Sequence, residues 1–260
     1  MPGVIKSIRD IMRKDAGVDG DAQRIGQLAW MLFLKLFDDK EREWELMTSN
    51  YRSPVPDDLK WRNWAADPEG ITGDDLLDLV NNRLFPTLRK AYVSQSRRHA
   101  LVRAVFEDSY NYMKSGTLLR QVVNKLNAID FTASKDRHLF NDVYETILRE
   151  LQSAGSSGEY YTPRPVTRFM TEMTDPKLGE TVLDPACGTG GFLIDTIEHL
   201  RRQGVKSLEA REQLQAMIRG TEKKALPHLL CVTNLLLHDI EDPKVTHGNS
   251  LAKTLVSYGP

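Results

Sequence analysis

The chain has 260 residues, with 35 lysines and arginines against 36 acids and a formal net charge of −1. That balance argues against unaided nucleic-acid binding, because phosphate neutralisation dominates such affinity; contact with DNA then needs a local basic face or a partner. Two cysteines, Cys187 and Cys231, make no disulfide framework, and six histidines without metal-ligand spacing give no metal site.

The first strong element is a helix that Asp21 can cap, with Ile25, Leu28, Leu32 and Leu36 at helical spacing. Trp30, Met31, Phe33 and Leu34 fill the other faces, so burial nearly all round is expected. Its most apolar run, from Leu28 to Phe37, is interrupted by Lys35 and falls far short of the ~20 residues a membrane span requires. The amino terminus lacks the apolar core of a signal peptide. A soluble protein of the reducing cytoplasm is expected.

Pro54, Pro56, Pro68 and Gly70 mark an irregular stretch containing Trp61 and Trp64, which read as core or subunit-interface anchors. Further helices are predicted over 74–89, 99–107, 117–129 and 135–152. The last rests on a stripe of Leu139, Phe140, Val143, Tyr144, Ile147, Leu148 and Leu151. The run from Ser153 to Gly158 then breaks the pattern like a flexible linker.

After the linker the texture becomes strand–helix alternation. Strands are predicted over 182–184, 217–222 and 245–247, and helices over 192–202 and 226–238, with Pro227 tolerable only in a first turn. An extra turn or short helix is expected around 207–214. No fixed-period repeat is visible. The expected layout is a helical domain over 1–152 and an α/β domain over 153–260, the class α + α/β.

The most informative segment is Asp184-Pro185-Ala186-Cys187-Gly188-Thr189-Gly190-Gly191, a glycine-rich turn between strand and helix. Such turns receive the adenosine end of cofactors, because glycine permits positive φ and close backbone approach. The acid at the strand's end departs from a dinucleotide site: a carboxylate repels phosphate and accepts hydrogen bonds from a cation. S-adenosylmethionine, with its amino group and sulfonium, fits that charge pattern better than NAD or ATP. Glu222, at the end of the second strand, stands where an acid takes ribose hydroxyls. Its distance from the glycines exceeds the usual ~20 residues, and the extra helix absorbs the surplus.

With these residues in place the sequence resembles the modification (methylation) subunit of type I restriction–modification systems, an N6-adenine DNA methyltransferase family. Glu159-Tyr160-Tyr161-Thr162-Pro163-Arg164 resembles the family's methionine-side binding segment, and Asp184 through Phe192 its main cofactor motif. Asn249, in Gly248-Asn249-Ser250, matches more weakly the position that meets the adenine ring. The resemblance implies the first part of a Rossmann-like S-adenosylmethionine-dependent methyltransferase sheet after the helical domain. It implies that Glu159, Tyr160, Tyr161, Thr162, Pro163, Arg164, Asp184, Thr189, Gly190, Gly191, Glu222 and Asn249 hold S-adenosylmethionine. The partners it implies are double-stranded DNA, a specificity subunit, a restriction subunit and a second methylation subunit, with the helical domain serving assembly and clasping DNA.

One departure stands beside the match. The family carries an Asn/Asp-Pro-Pro-Tyr/Phe tetrapeptide that contacts the flipped base, and no Pro-Pro dipeptide occurs in these 260 residues. The catalytic motif is therefore expected beyond Pro260, and these residues alone are expected not to transfer methyl groups. Other readings stay open: a non-catalytic S-adenosylmethionine-binding assembly module, a cytosine-N4 or RNA methyltransferase, and a nucleotide-dependent oxidoreductase.

Smaller features have plainer readings. Cys187 invites comparison with a thiolate nucleophile, but its place inside the cofactor turn suits a small filler; Cys231 reads as core. Tyr160 and Tyr161 wall the cofactor or simply pack, and Pro163 and Pro165 stiffen that wall or simply enter a helix. The Arg97-Arg98 and Arg201-Arg202 pairs read as solvated charge, with a DNA-facing role as the alternative.

Overall fold

The computed structural model of the chain describes residues 2–91, 96–129 and 162–252. The helix predicted over 135–152, the linker from Ser153 to Gly158, and Glu159, Tyr160 and Tyr161 lie outside the described residues. The chain divides into two compact units, Met1–Glu159 and Tyr160–Pro260.

In the first unit the described elements are helical: α1 (Pro2–Met12), α2 (Asp21–Met47), α3 (Trp61–Trp64), α4 (Gly73–Asp78), α5 (Phe85–Arg89), α6 (Arg97–Glu107) and α7 (Gly116–Asn127). Helix α2 is its axis. Trp30, Met31, Leu32 and Phe33, which follow one another around the helix, are all buried, as continuous hydrophobicity around the helix requires. Edge-on ring contacts tie it to its neighbours: Trp30 meets Phe85 at 5.1 Å, and Phe33 meets Phe106 at 6.1 Å. Trp61 and Trp64 are buried within this unit.

Two local expectations are corrected. Asp21 does not cap α2. Gly20 occupies the cap position at φ +84°, and Asp21 is the first helical residue, its carboxylate 2.8 Å from Arg24. An acid in the first turn still meets the positive end of the helix dipole. The helix predicted over 74–89 is not uniform. Between α4 and α5 the segment Leu79–Leu84 widens into a π-helix, and the Phe85 N–H bonds the carbonyl five residues back, at Val80. Pro86 explains the widening: it has no N–H, and its ring clashes with the carbonyl four residues back in an ordinary α-helix.

The first described element of the second unit is α8 (Arg164–Thr174), a helix entered at Pro163 and Pro165. Then follow β1 (Val182–Asp184), α9 (Gly191–Arg202), α10 (Leu208–Met217), β2 (Ile218–Glu222), α11 (Ala225–Leu237) and β3 (Lys244–His247). The three strands are parallel in the order β1-β2-β3, with Asp184 opposite Gly220 and Glu222 opposite His247. Helical crossovers join the adjacent parallel strands, the βαβ arrangement. The arrangement is α + α/β, as the residue pattern predicts. Helix α11 is buried over most of its surface and lies against β2 and β3. Its Leu229, Leu230, Leu235 and Leu236 are buried. Helix α10 is the extra element foreseen near 207–214, and the Ser207 hydroxyl caps it by accepting the Ala210 N–H at 3.1 Å.

Candidate cofactor site

Parallel strands deliver their last residues to one end of the sheet, the end at which open α/β sheets bind ligands. Here that end carries Asp184 from β1, the glycine turn, Glu222 from β2 and the Gly248-Asn249 loop after β3. The turn is built by its own backbone. Asp184 Oδ1 accepts the Ala186 N–H at 3.1 Å, the Cys187 N–H donates to the Thr221 carbonyl at 3.0 Å, and the Gly190 N–H donates to the Cys187 carbonyl at 2.8 Å. Gly188 and Gly190 take φ of +54° and +86°, which side chains adopt only with strain. At Gly190 space is short as well, since a Cβ there would lie 2.9 Å from the Cys231 sulfur.

Glu222 is bound into this turn. Its Oε2 accepts the Gly188 N–H at 2.9 Å and its Oε1 the Lys224 N–H at 2.7 Å, while its backbone carbonyl takes the Gly248 N–H at 2.8 Å. One residue thereby joins the glycine turn, the end of β2 and the loop after β3. Both carboxylates are half-buried, and among the described residues neither has an ion-pair partner. Burial and the nearby Glu222 charge push the Asp184 carboxyl above the usual range, against one opposing backbone N–H. Two acids thus lie near one another beside bare backbone at the end of the sheet.

Other groups hold the turn from outside. Arg164, at the start of α8, donates to the Gly191 carbonyl at 3.1 Å, so this predicted cofactor residue is tied to the protein backbone. Asn234, buried in the leucine-rich α11, reaches the Thr189 carbonyl at 3.4 Å. Sequence reasoning missed Asn234. Its signal was a lone amide among leucines, since a polar group is buried in such a helix only with a partner. Thr162 and Pro163 lead directly into α8. Asn249 is exposed, and its Oδ1 accepts the Leu251 N–H at 3.1 Å.

Cys187 and Cys231 are both buried, with sulfurs 3.8 Å apart beneath the turn. Hydrogen bonding to Cys187 and burial push the Cys231 thiol up, which suits core filling and opposes thiolate chemistry. His228 is buried and stacks on His247 at 5.0 Å; burial lowers it to about 4 despite a bond to the Val245 carbonyl. Among the described residues no group of His, Cys, Asp and Glu is arranged to hold a metal ion, and no helix is long and apolar enough to cross a membrane.

Of the named arginine pairs, Arg98 lies 3.9 Å over the Trp44 ring, and Arg201 donates to the His238 carbonyl at 2.6 Å. Arg202 pairs with Glu172 at 3.3 Å.

Comparison with known proteins matches two family models: HsdM N-terminal domain over residues 3–126 and N-6 DNA Methylase over residues 135–258. Similar curated proteins include the type I restriction enzyme EcoEI methylase subunit of Escherichia coli, 60% identical across 98% of this chain and 53% of that protein. The StySJI methylase subunit of Salmonella typhimurium is 30% identical across 95% of this chain and 45% of its own length. A solved modification subunit assigned to a type I restriction enzyme of Vibrio vulnificus YJ016 superposes with TM-score 0.82. It is 46% identical, across 96% of this chain and 55% of that one. The chain thus spans about half the length of the relatives it matches.

Proposed function

Because this chain belongs to the methylase subunits of type I restriction enzymes, we propose that it binds S-adenosylmethionine and serves in methylating adenine N6 of double-stranded DNA. The observation that carries the cofactor is the pair Asp184 and Glu222, acids without an ion-pair partner among the described residues, set on either side of the glycine turn. A cation relieves the repulsion between them, whereas the pyrophosphate of NAD or the triphosphate of ATP adds to it. When bound, S-adenosylmethionine supplies a methyl group on a positively charged sulfur.

The residues of this chain orient that donor. Asp184 and Glu222 meet its positive charge and ribose hydroxyls. Thr189, Gly190 and Gly191 offer close backbone, and Glu159 to Arg164 line the methionine side, with Asn249 toward the adenine. Direct transfer to an amine needs no covalent intermediate, so the protein's part is alignment and exclusion of water. In the assembled enzyme we place the flipped adenine against an Asn/Asp-Pro-Pro-Tyr/Phe segment, which these 260 residues do not contain. Sequence recognition falls to a specificity subunit, flanked by two methylation subunits and joined by a restriction subunit for cleavage. The helical domain, residues 1–152, then serves assembly and the grip on DNA, and the near-neutral charge agrees with delegated recognition. Such an enzyme works in the cytoplasm.

Calorimetric titration with S-adenosylmethionine and with NAD tests the reading. Saturable binding of the sulfonium compound and none of the dinucleotide is expected; preference for NAD overturns it.

A further inference from the structure

Helices α8 and α9 begin side by side, and each starts where a proposed cofactor segment ends. Helix α8 follows Thr162-Pro163, and α9 follows Gly190. At the first turn the two are joined by Arg164 and the Gly191 carbonyl. One turn further on, the Thr167 hydroxyl bonds the Asp195 carboxylate. Thr167 is 1% exposed and Asp195 6%. The same hydroxyl lies 3.0 Å from the Arg164 carbonyl, so the contact is continuous with the first turn of α8. The Thr167 methyl faces Gly191, where an added Cβ would make ordinary van der Waals contact with it at 3.6 Å.

Among the described residues Asp195 has no ion-pair partner. A buried carboxylate facing a hydroxyl is a poor device for stability, because two apolar side chains of similar size would fill the space without desolvating a charge. What it provides is direction. Apolar faces slide along one another, whereas a hydroxyl and a carboxylate meet at one axial offset. The remainder of the α8 face that meets α9 is polar as well, with Thr171 buried and the apolar Phe169 and Met173 turned outward.

We infer that Thr167 and Asp195 are positioning residues for the methyl donor. They fix the register of α8 against α9, and so the separation of the Thr162–Arg164 segment from the Gly188–Gly191 turn. The inference rests on the reading that one S-adenosylmethionine molecule spans both segments. A register error then penalises a ligand that touches both and spares one that touches the glycine turn alone.

The test replaces the pair together, Thr167→Val with Asp195→Leu, so that no buried polar group is orphaned. Dissociation constants for S-adenosylmethionine and for adenosine are read beside the thermal midpoint of the ligand-free chain. The expected result is a midpoint held or raised, affinity for S-adenosylmethionine lowered about tenfold, and affinity for adenosine within about twofold of wild type. Thr167→Ser, which keeps the hydroxyl, should restore S-adenosylmethionine binding to near wild type when Asp195 is intact. Equal losses for both ligands, or no loss for either, overturn the positioning role while the cofactor reading stands. Failure of the unaltered chain to bind S-adenosylmethionine overturns both.

Discussion

The two units treat buried charge in opposite ways. In the helical unit, acids and bases find partners. Arg120, 5% exposed, makes five hydrogen bonds to the carbonyls of Trp64, Ala65, Asp67 and Ile71. Arg62 meets Asp38 at 2.8 Å and Glu45 at 2.7 Å, and Glu45 also holds Lys60. Burial pushes Glu41 up, and hydrogen bonds from Ser53 and from the Tyr51 hydroxyl at 2.9 Å, with nearby Lys60, oppose that shift in part. In the α/β unit, burial pushes Asp184 up in the same way, yet the neighbouring charge is another acid. Satisfied networks specify a scaffold; frustrated charge at the end of a sheet specifies a ligand. The lesson is that the partner of a buried acid tells more than the acid itself.

The comparison breaks most readily at Arg120. Replacing it with methionine leaves four carbonyls short of donors, and a loss on the order of 3 kcal/mol or more is expected in urea unfolding. A variant as stable as wild type would mean that the network carries no weight.

Acid should act next. His228 is lowered from 6.5 to about 4, so its contribution is present above 6.5 and is lost as pH falls toward 4. A decline on the order of 3 kcal/mol across that window is expected in unfolding measured against pH. His228→Gln should flatten the slope.

Gly190→Ala sharpens the contrast from the backbone side. Positive φ and a Cβ meeting the Cys231 sulfur at 2.9 Å should together cost about 1–3 kcal/mol. Thermal unfolding and donor affinity should fall together.

The smallest stability effect has the opposite sign. Because the folded value of Asp184 is raised, its contribution is present below 3.8 and lost as pH rises through that folded value. At neutral pH the carboxylate is a burden on the ligand-free protein. Asp184→Asn keeps an acceptor for the Ala186 N–H and removes the charge, so the ligand-free midpoint should rise slightly. Wild-type affinity for a cationic donor should weaken as acid protonates Asp184, in a window beginning above 3.8.

Much of this was legible in the residues, for definite reasons. β1, the glycine turn and α9 announce themselves because Val182-Leu183 runs into three glycines and then an apolar period. Helix α8 carries the helical period in Val166, Phe169, Met170 and Met173, but that period points to the wrong side as the one that packs. Its apolar residues Val166, Phe169, Met170 and Met173 are exposed, while the face that packs is made of threonines, the reverse of the usual code. The π-helix before Pro86 was missed because a periodic pattern does not show where a hydrogen-bond ladder slips. Asp21 was misread as a cap because a glycine beside it serves with no side chain at all. At the site, the sequence marks which residues gather, but the bonds from Glu222 to Gly188 and from Arg164 to Gly191 required the fold.

Titrating S-adenosylmethionine into the wild-type chain and into Asp184→Asn at neutral pH probes the charge pair most directly. The frustrated pair predicts at least a tenfold weaker dissociation constant for the variant, with its fold intact and its ligand-free unfolding midpoint slightly raised. Equal affinity in an intact variant would contradict it.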